Sequence, residues 1–447
     1  MNSKGNQINR IIIILSIFAG ALILFIPLHK LLILLIGFLI FFYFLINPKI
    51  CFYLMIFTIP YVERLRILPI SFSANDLCIL MCFMSVIFQI FISGKMPDIK
   101  TKLDGWNIVL LLLFFAAGIT SISDTGLLAS FKFFEAVAVF YLTVYFVRTK
   151  QLKIASVIKL LIFTALWQAF YGIFQSITGI GTNFQNPRGI LGYLGIGSKM
   201  VKQACGTMGH FNAFGVFILT VFLFVFPLAK DIFKNKIYRR FVMIMLFLAI
   251  YFSYSRNCII GLFCCTLYYL FITLKNRGVF VGCTTAMFSI IAVLYKFLSG
   301  TDYVNTISSR ADIRNAVIAS IVSSPRNLWL GAGLNSYELS VYAYLPQNNV
   351  LWYAHNFYLA TAQEIGIIGF LIFFSFLIYV LKITYDAAKF GHGLNKAINM
   401  GVTLCVFSIF AIGFFDHAYS STYAKVLLFT LLGLAYARKA NFVSKNN

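Results

Sequence analysis

Long apolar runs, broken by short polar punctuation, make up almost the whole chain. Ile11–Leu28 and Leu31–Ile46 carry no charge over a length that crosses a bilayer. The runs are continuous and do not alternate with a period of two, so they predict helices, not strands. In hydrocarbon every backbone N–H and C=O needs a partner inside the protein, and a helix supplies one within its own segment. The runs predict spans at 11–28, 31–46, 50–60, 77–93, 107–122, 131–147, 155–177, 211–229, 241–254, 257–274, 279–298, 357–381, 397–416 and 422–437, of which 50–60 is shorter than a crossing requires. The expected fold is all-α: a polytopic membrane protein with 12–14 transmembrane helices in one domain over residues 1–447. Ile11–Leu28 is long and lacks an A-x-A site, so it reads as a first span and not as a cleavable signal.

Composition changes the picture in one respect. The chain is 61% apolar and 11% charged, with a net charge of +23. In a soluble protein that charge would suggest nucleic acid; in a membrane protein basic residues mark cytoplasmic loops, and no nucleic-acid partner is expected. With the N-terminus inside, most of the 36 Lys and Arg fall in the cytoplasm, every inside loop carries at least one, and the C-terminus is also cytoplasmic. Most of the nine cysteines, such as Cys51, Cys82 and Cys265, lie in apolar runs, and no C-x-x-C occurs. That pattern supports neither a zinc site nor a disulfide framework.

Two outer loops are long, Thr178–Gly209 and Ser299–Ala354. Loops of that length without low-complexity composition are more often functional than filler. In the second, Ser309–Ser323 predicts an amphipathic helix, with Ile313, Val317, Ile318 and Ile321 on one face, lying on the membrane surface or capping a cavity.

Cations on this translocated side run against the charge rule. Arg256 follows Ser-Tyr-Ser between two apolar runs, Arg310 and Arg314 share a helix face at i, i+4, and Arg188, Lys199 and Lys202 crowd the other loop. Singly, each could snorkel or meet lipid headgroups. As a group they suit phosphate, whose oxygens guanidinium binds in pairs, and a pyrophosphate at the membrane surface is the natural ligand. His355, in Trp352-Tyr353-Ala354-His355-Asn356-Phe357, stands where the longest outer loop re-enters the membrane. Its ordinary pKa suits proton abstraction near neutrality. The thirteen acidic residues form no D-x-D and no adjacent pair, so metal-independent chemistry is expected, without a metal or cofactor.

Together these residues resemble the O-antigen ligase and polymerase superfamily. Arg310 opens a segment that continues through Ser324-Pro325 to Gly331-Ala332-Gly333. After a spacer come His355-Asn356, nine residues, Gly366, two residues and Gly369. Upstream, Lys202-Gln203-Ala204-Cys205-Gly206-Thr207-Met208-Gly209-His210-Phe211-Asn212 and Ser255-Arg256 are similar to the family's entries to two spans. The resemblance covers about 200–437.

It implies a GT-C-like, metal-independent, inverting glycosyltransferase on the periplasmic face of the bacterial inner membrane. The donor would be an undecaprenyl-diphosphate-linked glycan, and the acceptor lipid A-core in a ligase or another lipid-linked glycan in a polymerase. Arg256 and Arg310 would hold the diphosphate, with Arg314, Lys202 and Arg188 as further cations. His355 would activate the acceptor hydroxyl, supported by Asn356, Gly331 and Gly333. The spacing of His355-Asn356 to Gly366 and Gly369 leans toward ligase. A flippase for the same lipid-linked sugar is the rival of another class, but no inverted repeat is visible and the distinctive polar residues sit at one face.

Overall fold

A computed structural model describes residues 28–62, 64–67, 70–180, 193–196, 199–274, 276–282, 284–285, 302–345 and 355–437. The main helices are α1 (Leu28–Ile46), α2 (Pro48–Thr58), α3 (Ala74–Ser93), α4 (Asp104–Ile119), α5 (Gly126–Arg148), α6 (Ile154–Thr178), α7 (Phe211–Ile232), α8 (Lys236–Phe252) and α9 (Arg256–Thr273). The connection before α13 carries α10 (Asp302–Val322), α11 (Pro325–Leu330) and α12 (Tyr337–Val341), and the bundle closes with α13 (Phe357–Phe390), α14 (Gly393–Gly413) and α15 (Thr422–Ala437). The protein is an all-α polytopic membrane protein, as the apolar runs predict.

Seven of the described helices, α3, α5, α6, α7, α9, α13 and α14, are long and apolar enough to cross a membrane. An eighth crossing is available if α1 and α2 count as one broken span, bent by 107°. The bend has a local cause. Pro48 has no N–H to donate to α1 and pushes Asn47 out of the helical region, to φ −117° and ψ 66°. The runs 31–46 and 50–60 are thus two arms of one bent pair. By the same criterion the described residues do not reach 12–14 crossings. Nearly all of the run 11–28 and most of 279–298 lie outside them, and α4, α8 and α15 have only 16, 17 and 16 residues.

Small residues let these helices pack closely. Gly433 of α15 sits against Thr143 and the Phe140 carbonyl of α5, and Gly401 of α14 against the Phe224 carbonyl of α7. One end of the bundle is tied by Arg148, whose guanidinium donates to the carbonyls of Asp98, Lys100, Tyr436 and Ala437. The opposite end collects the C-termini of α2, α4, α6, α8 and α14 and the N-termini of α5, α7, α9, α13 and α15. Two antiparallel hairpins, β1–β2 (Arg64–Ile67, Ile70–Ser73) and β3–β4 (Tyr193–Ile196, Lys199–Lys202), also lie in connections at that end.

The expected amphipathic helix is α10. Ile313, Val317 and Ile321 are buried in a small separate core with Tyr337 and Val341, packed against Leu359 and Ala362 of α13. Protein therefore covers the apolar face, which makes α10 a cap over α13. Ile318, expected on that face, is 46% exposed.

Candidate functional site

The chain positions His355 by a precise local arrangement. Asn356 caps α13, its Oδ1 accepting the Leu359 N–H at 3.0 Å. His355, just before the cap, adopts φ 46°. Nearly three turns on, Gly366 breaks α13 with φ 69°, leaving carbonyls without helical donors. The Ala332 and Gly333 N–H groups fill the vacancy, donating to the carbonyls of Gln363 (2.9 Å) and Glu364 (3.0 Å). Gly331 (φ 81°) and Gly366 admit this approach because a Cβ on either would collide with the other segment's backbone. The same loop bonds the α4–α5 turn, Ile122 N–H to the Ala332 carbonyl and Leu334 N–H to the Ala117 carbonyl. Gly331 and Gly333 thus dock the loop that follows α10 onto the element that presents His355.

Around His355 the fold assembles residues from distant parts of the sequence. His417 lies with its ring centroid 5.8 Å from that of His355. Asp416, 1% exposed, accepts the N–H groups of His417 (2.7 Å) and Ala418 (3.0 Å) at Oδ1 and the Asn257 amide (2.8 Å) at Oδ2. Imidazole nitrogens of His355 and His417 and a carboxylate oxygen of Asp416 lie within 4.8 Å of one another, the group among the described residues able to hold a metal ion. His210 is close enough to feel the same carboxylate. Burial pushes the pKa of His210 and His417 down, and the Asp416 charge opposes the shift in both.

Asn257 joins this cluster to the start of α9. Ser255, just before that helix, donates to Asn212 Oδ1 at 2.7 Å, tying the N-termini of α7 and α9 together. Upstream, Gln175 Oε1 accepts the Gly206 N–H at 2.8 Å and Ala204 N–H donates to the Phe252 carbonyl at 2.9 Å. The segment from Lys202 to Asn212 is thereby seated between α6, α7 and the end of α8.

The expected cations are placed as follows. Arg256 is exposed at the first position of α9, next to Asn257. Arg314 is exposed on α10. Arg310 is on the same helix, with its side chain outside the described residues, as is all of Arg188. Lys202, on β4, donates to the carbonyl of Thr178, the last residue of α6, at 3.3 Å. The fold therefore brings His355 and the Arg256 end of α9 to one cluster through Asp416 and Asn257.

Sequence reasoning missed Asn257 and His417, met His210 only within the Lys202–Asn212 segment, and counted Asp416 only among the thirteen acidic residues. A signal existed. Of five histidines, His210, His355 and His417 each stand at a helix boundary on the side the charge rule makes outer.

No curated protein matches the chain. Residues 241–374 match the family model described as O-antigen ligase, a stretch running from α8 through the loop helices into α13 that contains Arg256, Arg310, Arg314, Gly331, Gly333, His355 and Gly366. That match supports the resemblance to the O-antigen ligase and polymerase superfamily, and with it transfer of a lipid-linked glycan at a membrane.

Proposed function

We propose that this chain is a periplasmic-face glycosyltransferase that passes an undecaprenyl-diphosphate-linked glycan to an acceptor hydroxyl, with lipid A-core the favoured acceptor. One observation carries the reading: His355, inside the stretch that matches the ligase family, meets Asp416, which Asn257 bonds at the start of α9 beside Arg256. The neutral His355 imidazole takes the proton of the acceptor hydroxyl as that oxygen attacks the sugar carbon bonded to the diphosphate. The carbon–oxygen bond to the diphosphate breaks, and the leaving group departs with two or more negative charges. Arg256 and Arg310, with Arg314, Lys202 and Arg188 as further cations, neutralise that charge, the guanidinium forks binding its oxygens in pairs. Fixed cations do this without a metal, and a base opposite the leaving group gives inversion. The site works in the inner membrane with both termini cytoplasmic, the donor's lipid tail lying between helices.

Polymerase is the second reading, since the same chemistry serves an acceptor carried on another lipid-linked repeat. The spacing from His355-Asn356 to Gly366 and Gly369 favours the ligase. Deletion in the native strain, followed by gel analysis of lipopolysaccharide, separates the two. Loss of all attached O-chain with lipid-linked polymer retained is the expected result. A core carrying a single repeat would mean polymerase, and an unchanged pattern would overturn glycan transfer.

A further inference from the structure

His355, Asp416 and His417 offer two imidazole nitrogens and one carboxylate oxygen, all within 4.8 Å of one another. This donor set suits borderline divalent ions such as Zn²⁺, whereas Mg²⁺ and Ca²⁺ favour oxygen shells. Zinc bonds of about 2.0–2.2 Å put two ligand atoms on one ion roughly 3.3–3.6 Å apart, so shifts of about an ångström close the set. Both rings are half-buried and meet edge-on at 72°.

Asp416 already has the support that a ligating carboxylate needs. Two backbone N–H groups fix Oδ1, and the Asn257 amide holds Oδ2 at 2.8 Å while leaving that oxygen a further lone pair. His417 Nδ1 already lies 3.6 Å from Asp416 Oδ1, so an ion bound between them would meet a carboxylate that is held in place and only 1% exposed. Two imidazoles and one carboxylate are a ligand set that zinc sites use.

We propose that His355, Asp416 and His417 form a three-ligand site for a zinc-class divalent ion. Occupancy removes His355 from proton transfer. A neutral imidazole has one nitrogen lone pair, and an ion that takes it leaves the other nitrogen protonated. Zn²⁺ therefore inhibits transfer and a chelator restores it. This consequence, unlike the site itself, rests on His355 being the base.

The test uses the full-length protein in detergent, titrated with Co²⁺ as a visible-absorbing stand-in and then with Zn²⁺ as competitor. One equivalent of Co²⁺ should give d–d bands of low-coordinate nitrogen and oxygen ligation, which Zn²⁺ abolishes. His417→Gln and Asp416→Asn, close in size to the native residues, should lose the bands while remaining monodisperse. Asn257→Ala, which removes only the support to Asp416, should weaken binding about 10–100-fold. A wild type without bands, or variants that bind like wild type, would overturn the site, and metal-free assays of His355 variants would still decide the base. Zn²⁺ that binds without slowing transfer would overturn both inhibition and the role of His355 as base.

Discussion

Two charged clusters sit at the same end of the bundle and are built on opposite plans. In the first, Lys132 of α5 contacts the carboxylates of Asp76 and Glu135, the latter at 3.2 Å, while Asp76 also caps α3 by accepting the Ser73 N–H at 2.8 Å. Cation and anions answer one another, and the result fastens α3 to α5. In the second, Asp416 is held by backbone amides and Asn257, with His355 and His417 beside it and Arg256 one residue from Asn257. By sequence alone Lys132 and Arg256 are both cations on the side the charge rule makes outer. The partners separate them: mutual neutralisation marks a structural clasp, and a carboxylate surrounded by imidazoles marks a place where protons or ions can be exchanged.

The comparison is broken most directly at His355. General-base help is worth about 10²–10⁴ in rate, so His355→Ala should lose that factor in transfer while the donor still binds. His355→Gln keeps a hydrogen-bonding group without comparable basicity. Activity restored by Gln would make His355 a residue that positions the acceptor, and loss of donor binding in Ala would move it to the diphosphate site. Activity normalised to monodisperse protein excludes a mere loss of folded molecules.

Arg256→Ala comes next. Removing one donor that stabilises developing charge costs about 10²–10³ in rate, and Arg256→Lys should be nearly as harmful if the contact is a guanidinium fork. Wild-type transfer by Arg256→Ala at equal protein level would take the α9 terminus out of the mechanism.

Lys132→Met should do the reverse, lowering stability and sparing turnover. It leaves Asp76 and Glu135 facing one another without their cation. Lys132 is 23% exposed, so the cost should fall below the ~3–5 kcal/mol typical of a fully buried broken pair. A lower unfolding temperature in detergent, with transfer per folded molecule within about twofold of wild type, is the expected pair of readings. A collapse of turnover at unchanged stability would erase the distinction between the clusters.

How much of this was legible in the sequence follows from how local each feature is. The helical bundle and the apolar face of α10 at Ile313, Val317 and Ile321 depend on neighbours a few residues away, and periodicity reports such neighbours. Ile318 sits at the edge of the same stripe, where one position's rotation separates buried from exposed. The break at Gly366 lies inside the predicted span 357–381, and the docking of Ala332 and Gly333 explains it. The meeting of His355 with Asp416 and His417 joins residues about sixty positions apart across two helices, with no pattern in either segment to announce the other.

The smallest effect is expected at Lys202. Its ammonium donates to the Thr178 carbonyl at 3.3 Å, at the end of α6 where unpaired carbonyls and the helix dipole favour a cation. Part of its charge is thus engaged in closing a helix, a structural task like the clasp of Lys132 between α3 and α5 and unlike the proposed part of Arg256. A half-buried single cation of this kind contributes about 0.2–1 kcal/mol to an ionic contact, so Lys202→Met should weaken donor binding no more than about fivefold, with transfer at saturating donor unchanged. Donor titration at low and at moderate salt reads the effect, because a screened, exposed contribution shrinks as salt rises. A loss as large as that of Arg256→Ala would bring the β3–β4 hairpin to the diphosphate itself. No change at either salt would leave Lys202 a helix cap and confine the clamp to α9 and α10.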